Sequence, residues 1–426
     1  MLYFAIAVFV ITYILMISLP NYRHWVALIS AAIFIVSGIL PASDIIGKIN
    51  WNVLFMLFGT MGTVYFFIES KMPDVLAEKL LSTAPNTMWV VVMLSLFSGI
   101  ISAFMDNVAT VLMLAPIGLA VAKQLKISPV EMLICISVSS NLQGAATLVG
   151  DTTSIMLGGY ADMNFIDFIF MNGKFSIFWA VELGALATVP VIMILFRKEK
   201  HNVSIVPKHK VEDPVPTCLL ILNILLLIAA SFFQEKLPGT INGLICIAVF
   251  LAAAIHSVIK NRGKFDKVLT ALKDIDFNTL LLLFSLFIII AGVESAGLLE
   301  ILAQFIVKLG GGNIFIVYTI IVFVSVILSA FIDNIPYVAT MLPVISQLAL
   351  KLNYPGIPYV LFFGLLTGAT LGGNITPIGA SANIAAIGIL RKNGYTVKNR
   401  QFLRIGMPFT AVAVLAGYIF IWFVWK

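Results

Sequence analysis

The sequence predicts an all-α polytopic membrane protein made of two inverted repeats, each with five transmembrane helices and one re-entrant hairpin. Three observations predict it. The 426-residue chain is 61% hydrophobic and 11% charged, with a mean hydropathy of +1.06, whereas a soluble protein carries roughly a quarter charged residues. Uncharged apolar runs of spanning length recur from one end to the other. The stretch "FMDNVATVLMLAP" at 104–116 returns as "FIDNIPYVATMLP" at 331–343, so an Asp-Asn pair is set in apolar surroundings twice.

In chain order, runs 1–19, 25–40 and 52–68 read as three crossings. The first has no basic start and no small-residue cleavage site, so it reads as a retained helix and not a signal peptide. Residues 70–82 form a lateral helix, with Asp74, Glu78 and Ser82 on one stripe, as suits the membrane interface. A hairpin near 87–124, a broken helix near 130–161 and a last crossing through 175–196 complete repeat 1, residues 1–197. The polar, basic stretch 198–215 is a linker. Repeat 2, residues 216–426, has the same order. Its lateral helix carries Glu300, Gln304 and Lys308, its hairpin lies near 313–351 and its broken helix near 357–390. "NLQGAATLVGDTTSI" at 141–155 matches "TLGGNITPIGASANI" at 370–384, and Glu69-Ser70 matches Glu294-Ser295. Landmarks in constant order at nearly constant spacing indicate internal duplication. Five crossings per half is an odd number, which turns the second half upside down.

The charges orient the chain. With the N-terminus outside, 20 of the 26 Lys and Arg residues fall on the cytoplasmic side, Arg23 and the clusters 197–210, 260–273 and 391–404 among them. The C-terminus is then also outside, and no Lys or Arg remains for the bilayer core. The net charge of +6 is thus a topological signal and not a nucleic-acid one. Cys135, Cys218 and Cys246 lie in apolar runs without a CxxC and read as packing residues. The four histidines lack metal-ligand spacing, which argues against a metal-centre enzyme.

A hairpin that turns inside the bilayer leaves backbone groups without helical partners, so its tip must face protein or a polar cavity. Asp106-Asn107 and Asp333-Asn334 fit two such tips, where an acidic N-cap is favoured by the helix dipole. Ser or Asn alone would cap without the charge, so the carboxylates point to ion binding. Helix interruptions in matching places of two halves mark the binding site of secondary transporters. The oxygen-bearing residues there suit Na⁺. The candidate site is Asp106, Asn107, Thr110, Asn141, Gly144, Thr147, Asp151, Thr152 and Ser154 with Asp333, Asn334, Gly373, Asn374, Thr376, Gly379, Ser381 and Asn383. Na⁺ is placed at Asp106, Asn107, Asp333 and Asn334. Close helix packing is the alternative role of the glycines. Asp151 has no acidic counterpart, since Ala380 aligns with it, and is a candidate proton site. Glu182 reads equally as a second proton site or as a polar contact between helices.

The Asp-Asn tips, "GDTTSIMLGG" and "LGGNITPIGASANIAAIGIL" resemble the ion-transporter superfamily over nearly the whole chain. The arsenite permease and NhaD-type antiporter branch is the most similar; it is related to citrate and dicarboxylate transporters and to P-protein-like permeases. The resemblance implies an elevator mechanism, a homodimer, no cofactor beyond a coupling Na⁺ or H⁺, and a small ion as substrate in the cell membrane. In the dicarboxylate branch the tips carry Ser-Asn-Thr; Asp106 and Asp333 replace the Ser here, which makes the site more acidic. The expected function is secondary active ion transport, with a strict Na⁺/H⁺ antiporter as the alternative. An arsenite or dicarboxylate permease, a passive channel and an intramembrane aspartyl protease are the remaining readings.

Overall fold

A computed structural model describes residues 1–125, 127–199 and 209–426, so Lys126 and residues 200–208 of the expected linker lie outside the described residues. The described chain is helical apart from one short hairpin. Its first half runs α1 (Leu2–Ser18), α2 (Arg23–Val36), α3 (Ile45–Lys48), α4 (Trp51–Glu69), α5 (Met72–Leu81), α6 (Thr87–Ser102), α7 (Asn107–Leu125), α8 (Val130–Gly144) and α9 (Thr152–Tyr160). Strands β1 (Phe170–Met171) and β2 (Lys174–Phe175) follow, then α10 (Ile177–Leu195). The second half runs α11 (Val215–Ser231), α12 (Ile241–Lys260), α13 (Asp266–Asp274), α14 (Phe277–Ser295), α15 (Leu298–Gly310), α16 (Ile314–Ser329) and α17 (Asn334–Lys351). It ends with α18 (Tyr359–Gly372), α19 (Ser381–Lys392) and α20 (Asn399–Trp425).

The two strands pair antiparallel around Asn172-Gly173, both at positive φ. Asn-Gly between short apolar runs is a hairpin signal, and the all-α reading passed over it.

Six described helices, α4, α7, α10, α12, α14 and α20, are long and apolar enough to cross a membrane. The pairs α1–α2 and α15–α16, bent by 116° and 114°, raise the number to eight. Ten crossings were expected. The difference lies in α1 and α11, of 17 residues, in α2, of 14, and in α8–α9 and α18–α19, which are runs split at a break. By length and composition α7 is itself a candidate span, where the sequence reading makes it a hairpin arm.

Matching caps start matching helices in the two halves. Asn50 accepts from Val53 N to open α4, and Asp276 accepts from Thr279 N to open α14. Asn86 caps α6 and Asn313 caps α16 in the same way. Each cap supplies an acceptor for a first-turn N–H that has no helical partner.

The halves interlock. The third helix of each packs on the second helix of the other, α4 on α12 and α14 on α2. Glycine makes the first contact possible. A Cβ on Gly59 would run into the backbone of Cys246, and one on Gly243 would lie 2.6 Å from Phe55. Cys246 and Cys135 are buried as expected, but Cys218 is exposed and packs no core.

The polar stripe on α15 is exposed beside the exposed apolar residues Ile301, Phe305 and Leu309, as an interfacial helix requires. The stripe on α5 differs at its middle residue, because the returning chain covers Glu78 while Ser82 stays exposed. His209 N donates to Glu78 at 2.9 Å, and Glu78 is buried. Glu212 N donates to Ser70 O at 3.0 Å. Asp213 takes Lys260 Nζ at 2.9 Å and His256 Nε2 at 2.8 Å. Burial works against the Asp213 carboxylate, but these two bonds outweigh it and hold the carboxyl below its ordinary range.

Candidate functional site

Two tips and two breaks meet at the centre of the molecule. Residues 103–106 join α6 to α7, and residues 330–333 join α16 to α17. Asp106 Oδ1 accepts from Val108 N at 2.9 Å and Ala109 N at 3.1 Å. Asp333 Oδ1 accepts from Ile335 N at 3.1 Å. Ser102 donates to Asn107 Oδ1, and Ser329 donates to Asn334 Oδ1. The breaks are then tied to the tips. The Thr147 hydroxyl donates to Ala103 O and the Thr376 hydroxyl to Ala330 O. These bonds repeat from one half to the other at nearly one offset, as the duplicated sequence does.

The glycines let backbone meet backbone. A Cβ on Gly150 would sit 2.5 Å from Gly144 O and 2.8 Å from both Ser102 O and Ala103 O. On Gly379 it would sit 2.6 Å from Gly373 O and 2.9 Å from Ala330 O. On Gly144 and Gly373 it would press on Asn107 and Asn334.

Asparagines join the halves. Asn107 Nδ2 donates to Asn141 Oδ1 at 3.1 Å. Asn141 Nδ2 donates to Thr370 O at 2.6 Å and Asn374 Oδ1 at 3.0 Å, and Asn374 returns a bond to Val138 O at 3.0 Å. Thr153, one residue beyond the predicted Thr152, bonds Asp151 Oδ2 at 2.7 Å and lies 3.1 Å from Thr370 Oγ1.

A cavity of about 410 Å³ opens against this centre. Asp106, Asn107, Asn141, Asp151, Thr152, Asp333, Asn334 and Ser381 line it, with apolar walls from α4 and α7. The other predicted residues do not. Thr110, Gly144, Thr147, Ser154, Gly373, Asn374, Thr376, Gly379 and Asn383 lie behind the wall, holding tips and breaks together; Asn383 bonds Gly373 O and Thr376 O at 3.0 and 3.1 Å, and Ser154 bonds Gly144 O. Glu182 is half-buried on α10 and does not reach the cavity.

Three acids were missed. Glu69, Asp274 and Asp276 line the outer part of the same cavity, the last two exposed. Asp276 also caps α14, accepting from Thr279 N. No Lys, Arg or His lines the cavity among the described residues. Two of the six acids are paired from behind the lining, Asp333 with Arg23 and Glu69 with Lys267 at 3.4 Å; Asp106, Asp151, Asp274 and Asp276 keep the cavity acidic, a field that concentrates cations. Replacing Asp274 and Asp276 by Asn should weaken apparent cation affinity about threefold at low ionic strength. The difference should vanish in ~0.5 M inert salt, where charges more than a few Å apart are screened; titrating transport against cation at both salt levels checks this.

The sequence reading leaves no basic residue for the core, yet Arg23 reaches the site: its Nη1 pairs with Asp333 Oδ2 at the second tip, both side chains mostly buried. Charge counting sorts residues by loop, and a pair 310 positions apart in sequence leaves no local trace.

The family model described as citrate transporter, CitMHS, matches residues 13–353 and 236–426. The chain belongs to the citrate transporter family. An uncharacterized transporter of Mycobacterium bovis is 30% identical over 426 residues, covering 98% of this chain and 97% of that one. The P protein of Sus scrofa is 26% identical, covering 92% of this chain and 55% of the P protein. Among solved structures, the YdaH transporter of Alcanivorax borkumensis aligns with a TM-score of 0.60 at 13% identity, over 89% of this chain and 86% of that one. MtrF of Neisseria gonorrhoeae, an antimetabolite efflux pump, gives 0.59 at 15%, over 89% and 82%. These likenesses show the fold. With the family and the apolar helices they make this member of the citrate transporter family an integral membrane transporter.

Proposed function

We propose that this transporter is secondary active and coupled to Na⁺ or H⁺, and that it moves a small ion through the cavity described above. One observation carries the reading. Asp106, Asp151 and Asp333 converge from both halves on one cavity, and of the three only Asp333 has a basic partner among the described residues, Arg23. Carboxylates in low-dielectric surroundings need a counter-ion, and a small hard cation or a proton supplies it. Asp106 and Asn107 with the Asp151 oxygens form the cation half nearest the bulk of the cavity, and Asp151 carries the proton. The repeats are inverted, α6–α7 and α16–α17 are re-entrant hairpins, and the tips with their tethered breaks move as one body in an elevator stroke. The backbone-to-backbone glycine contacts support this, because they leave no slack between tip and break. A homodimer in the cell membrane, with both termini outside and residues 198–215 and 391–404 cytoplasmic, completes the proposal.

A strict Na⁺/H⁺ antiporter is the second reading, favoured by the asymmetric Asp151. A bare citrate or dicarboxylate cargo is disfavoured, because the acid-lined walls repel it. Proteoliposomes loaded with a pH-sensitive dye test both readings. Adding Na⁺, Li⁺ or K⁺ outside should drive proton efflux if the antiporter reading holds. If a co-transported ion is required, efflux should be silent until that ion is supplied. No ion-driven response under any imposed Na⁺ or proton gradient would end the proposal.

A further inference from the structure

The two halves of the site are built alike but neutralised differently. Asp106 and Asp151 receive hydrogen bonds from Val108 N, Ala109 N and Thr153 Oγ1, and no Lys, Arg or His forms an ion pair with either among the described residues. Asp333 meets the Arg23 guanidinium, with Ser381 Oγ at 3.4 Å and Ile335 N at 3.1 Å taking up its remaining capacity. The repeat does not reproduce this pair. Gly38 and Gly263, both at positive φ, mark the matching ends of α2 and α12. Counting back from them puts Ala248 or Val249 where Arg23 stands, and neither carries charge. Arg23 is also firmly seated. It opens α2, and Tyr13 of the adjoining α1 donates to Pro336 O at 2.6 Å, so the α1–α2 pair is docked on the second tip at two points.

We infer that Arg23 is a tethered counter-cation that occupies the Asp333 half of the site in this conformation and competes with a mobile monovalent cation for that carboxylate. The Asp106–Asp151 half is then the loading half. This rests on the reading of the cavity as a cation site. A guanidinium pairs with carboxylate through a planar fork of donors, and its charge does not titrate at any working pH. A cation reaching Asp333 therefore has to displace a partner already in place, whereas one reaching Asp106 displaces only water. Arg23 thus sets how many cations the chain binds in this state.

Thermal-shift titration of the purified full-length protein with NaCl or LiCl, at ionic strength held constant with choline chloride, reads this apart from transport. The wild type should titrate as one site. Arg23→Gln should open the Asp333 carboxylate as a second site, so that the rise in melting temperature per tenfold increase in cation near saturation should about double. Adding Asp333→Asn to Arg23→Gln removes the unmasked carboxylate and should return the one-site curve. Asp106→Asn should abolish the titration, whereas Asp333→Asn, which leaves the Arg23 charge unpaired beside the site, should keep a one-site curve with a weakened midpoint. An Arg23→Gln protein with the wild-type midpoint and slope overturns the inference. If Arg23→Gln does not fold, the single aspartate variants decide: loss of the cation shift in Asp333→Asn, equal to that in Asp106→Asn, overturns it as well. A wild type that no cation shifts overturns the cation reading itself and this inference with it.

Discussion

Asp106→Asn should cut cation-driven transport by more than a hundredfold while leaving the protein folded. The substitution separates the two jobs of this residue. Its Oδ1 accepts from Val108 N and Ala109 N and so caps α7. An Asn carbonyl accepts the same bonds, and Asn caps helices about as well as Asp. Only the charge is lost, along with its pull on a bound cation. Thermal stability without added cation should therefore match the wild type, and the stabilisation by Na⁺ or H⁺ should be gone. Flux measured in proteoliposomes, beside a melting curve in detergent, checks both. Wild-type flux in Asp106→Asn would reduce the first tip to a cap.

Gly150→Ala should have the opposite signature. Its added Cβ has no room, because the three nearest atoms are backbone oxygens at 2.5 and 2.8 Å. Side chains can rotate away from an overpacked methyl group, but carbonyls of two tethered loops cannot. The cost falls at the upper end of the overpacking range, about 3 kcal/mol. Tip and break should part, so that expression and melting temperature fall together with transport. Gly388→Ala is the control. It sits in α19 with nothing within 4 Å of its Cβ position, and there alanine should be neutral or slightly stabilising. Equal melting temperatures for Gly150→Ala and Gly388→Ala would mean that the contact between tip and break is slack.

The sequence was most legible where a physical demand forces one residue type. Broken helices need Gly, Thr, Asn and Pro, and tips need Asp-Asn, so both stand out against apolar runs, and the helices break at 145–151 and 373–380. It was least legible where one residue type serves two demands. Thr147 and Thr152 look alike in sequence. One hydroxyl closes a backbone carbonyl behind the wall, and the other residue lines the cavity. The glycines were read as cavity lining or as packing; Gly150, Gly373 and Gly379 take up close backbone approach, and Gly144 makes room for the Asn107 side chain. Residues acting across distant elements were not legible at all. Arg23, Glu69, Asp274 and Asp276 reach the site only after α2, α4, α13 and α14 have packed.

The interlock of α4 with α12 and of α14 with α2 bears on how the molecule is made. Each repeat lends its third helix to a groove in the other, so neither is complete alone. As the first half leaves the ribosome, the glycine face of α4 has no α12 to meet, and it stays unsatisfied until residue 260 has been synthesised. Cutting the chain between α10 and α11 should therefore leave the two assembled fragments bound to each other through these helix pairs, as co-purification would show.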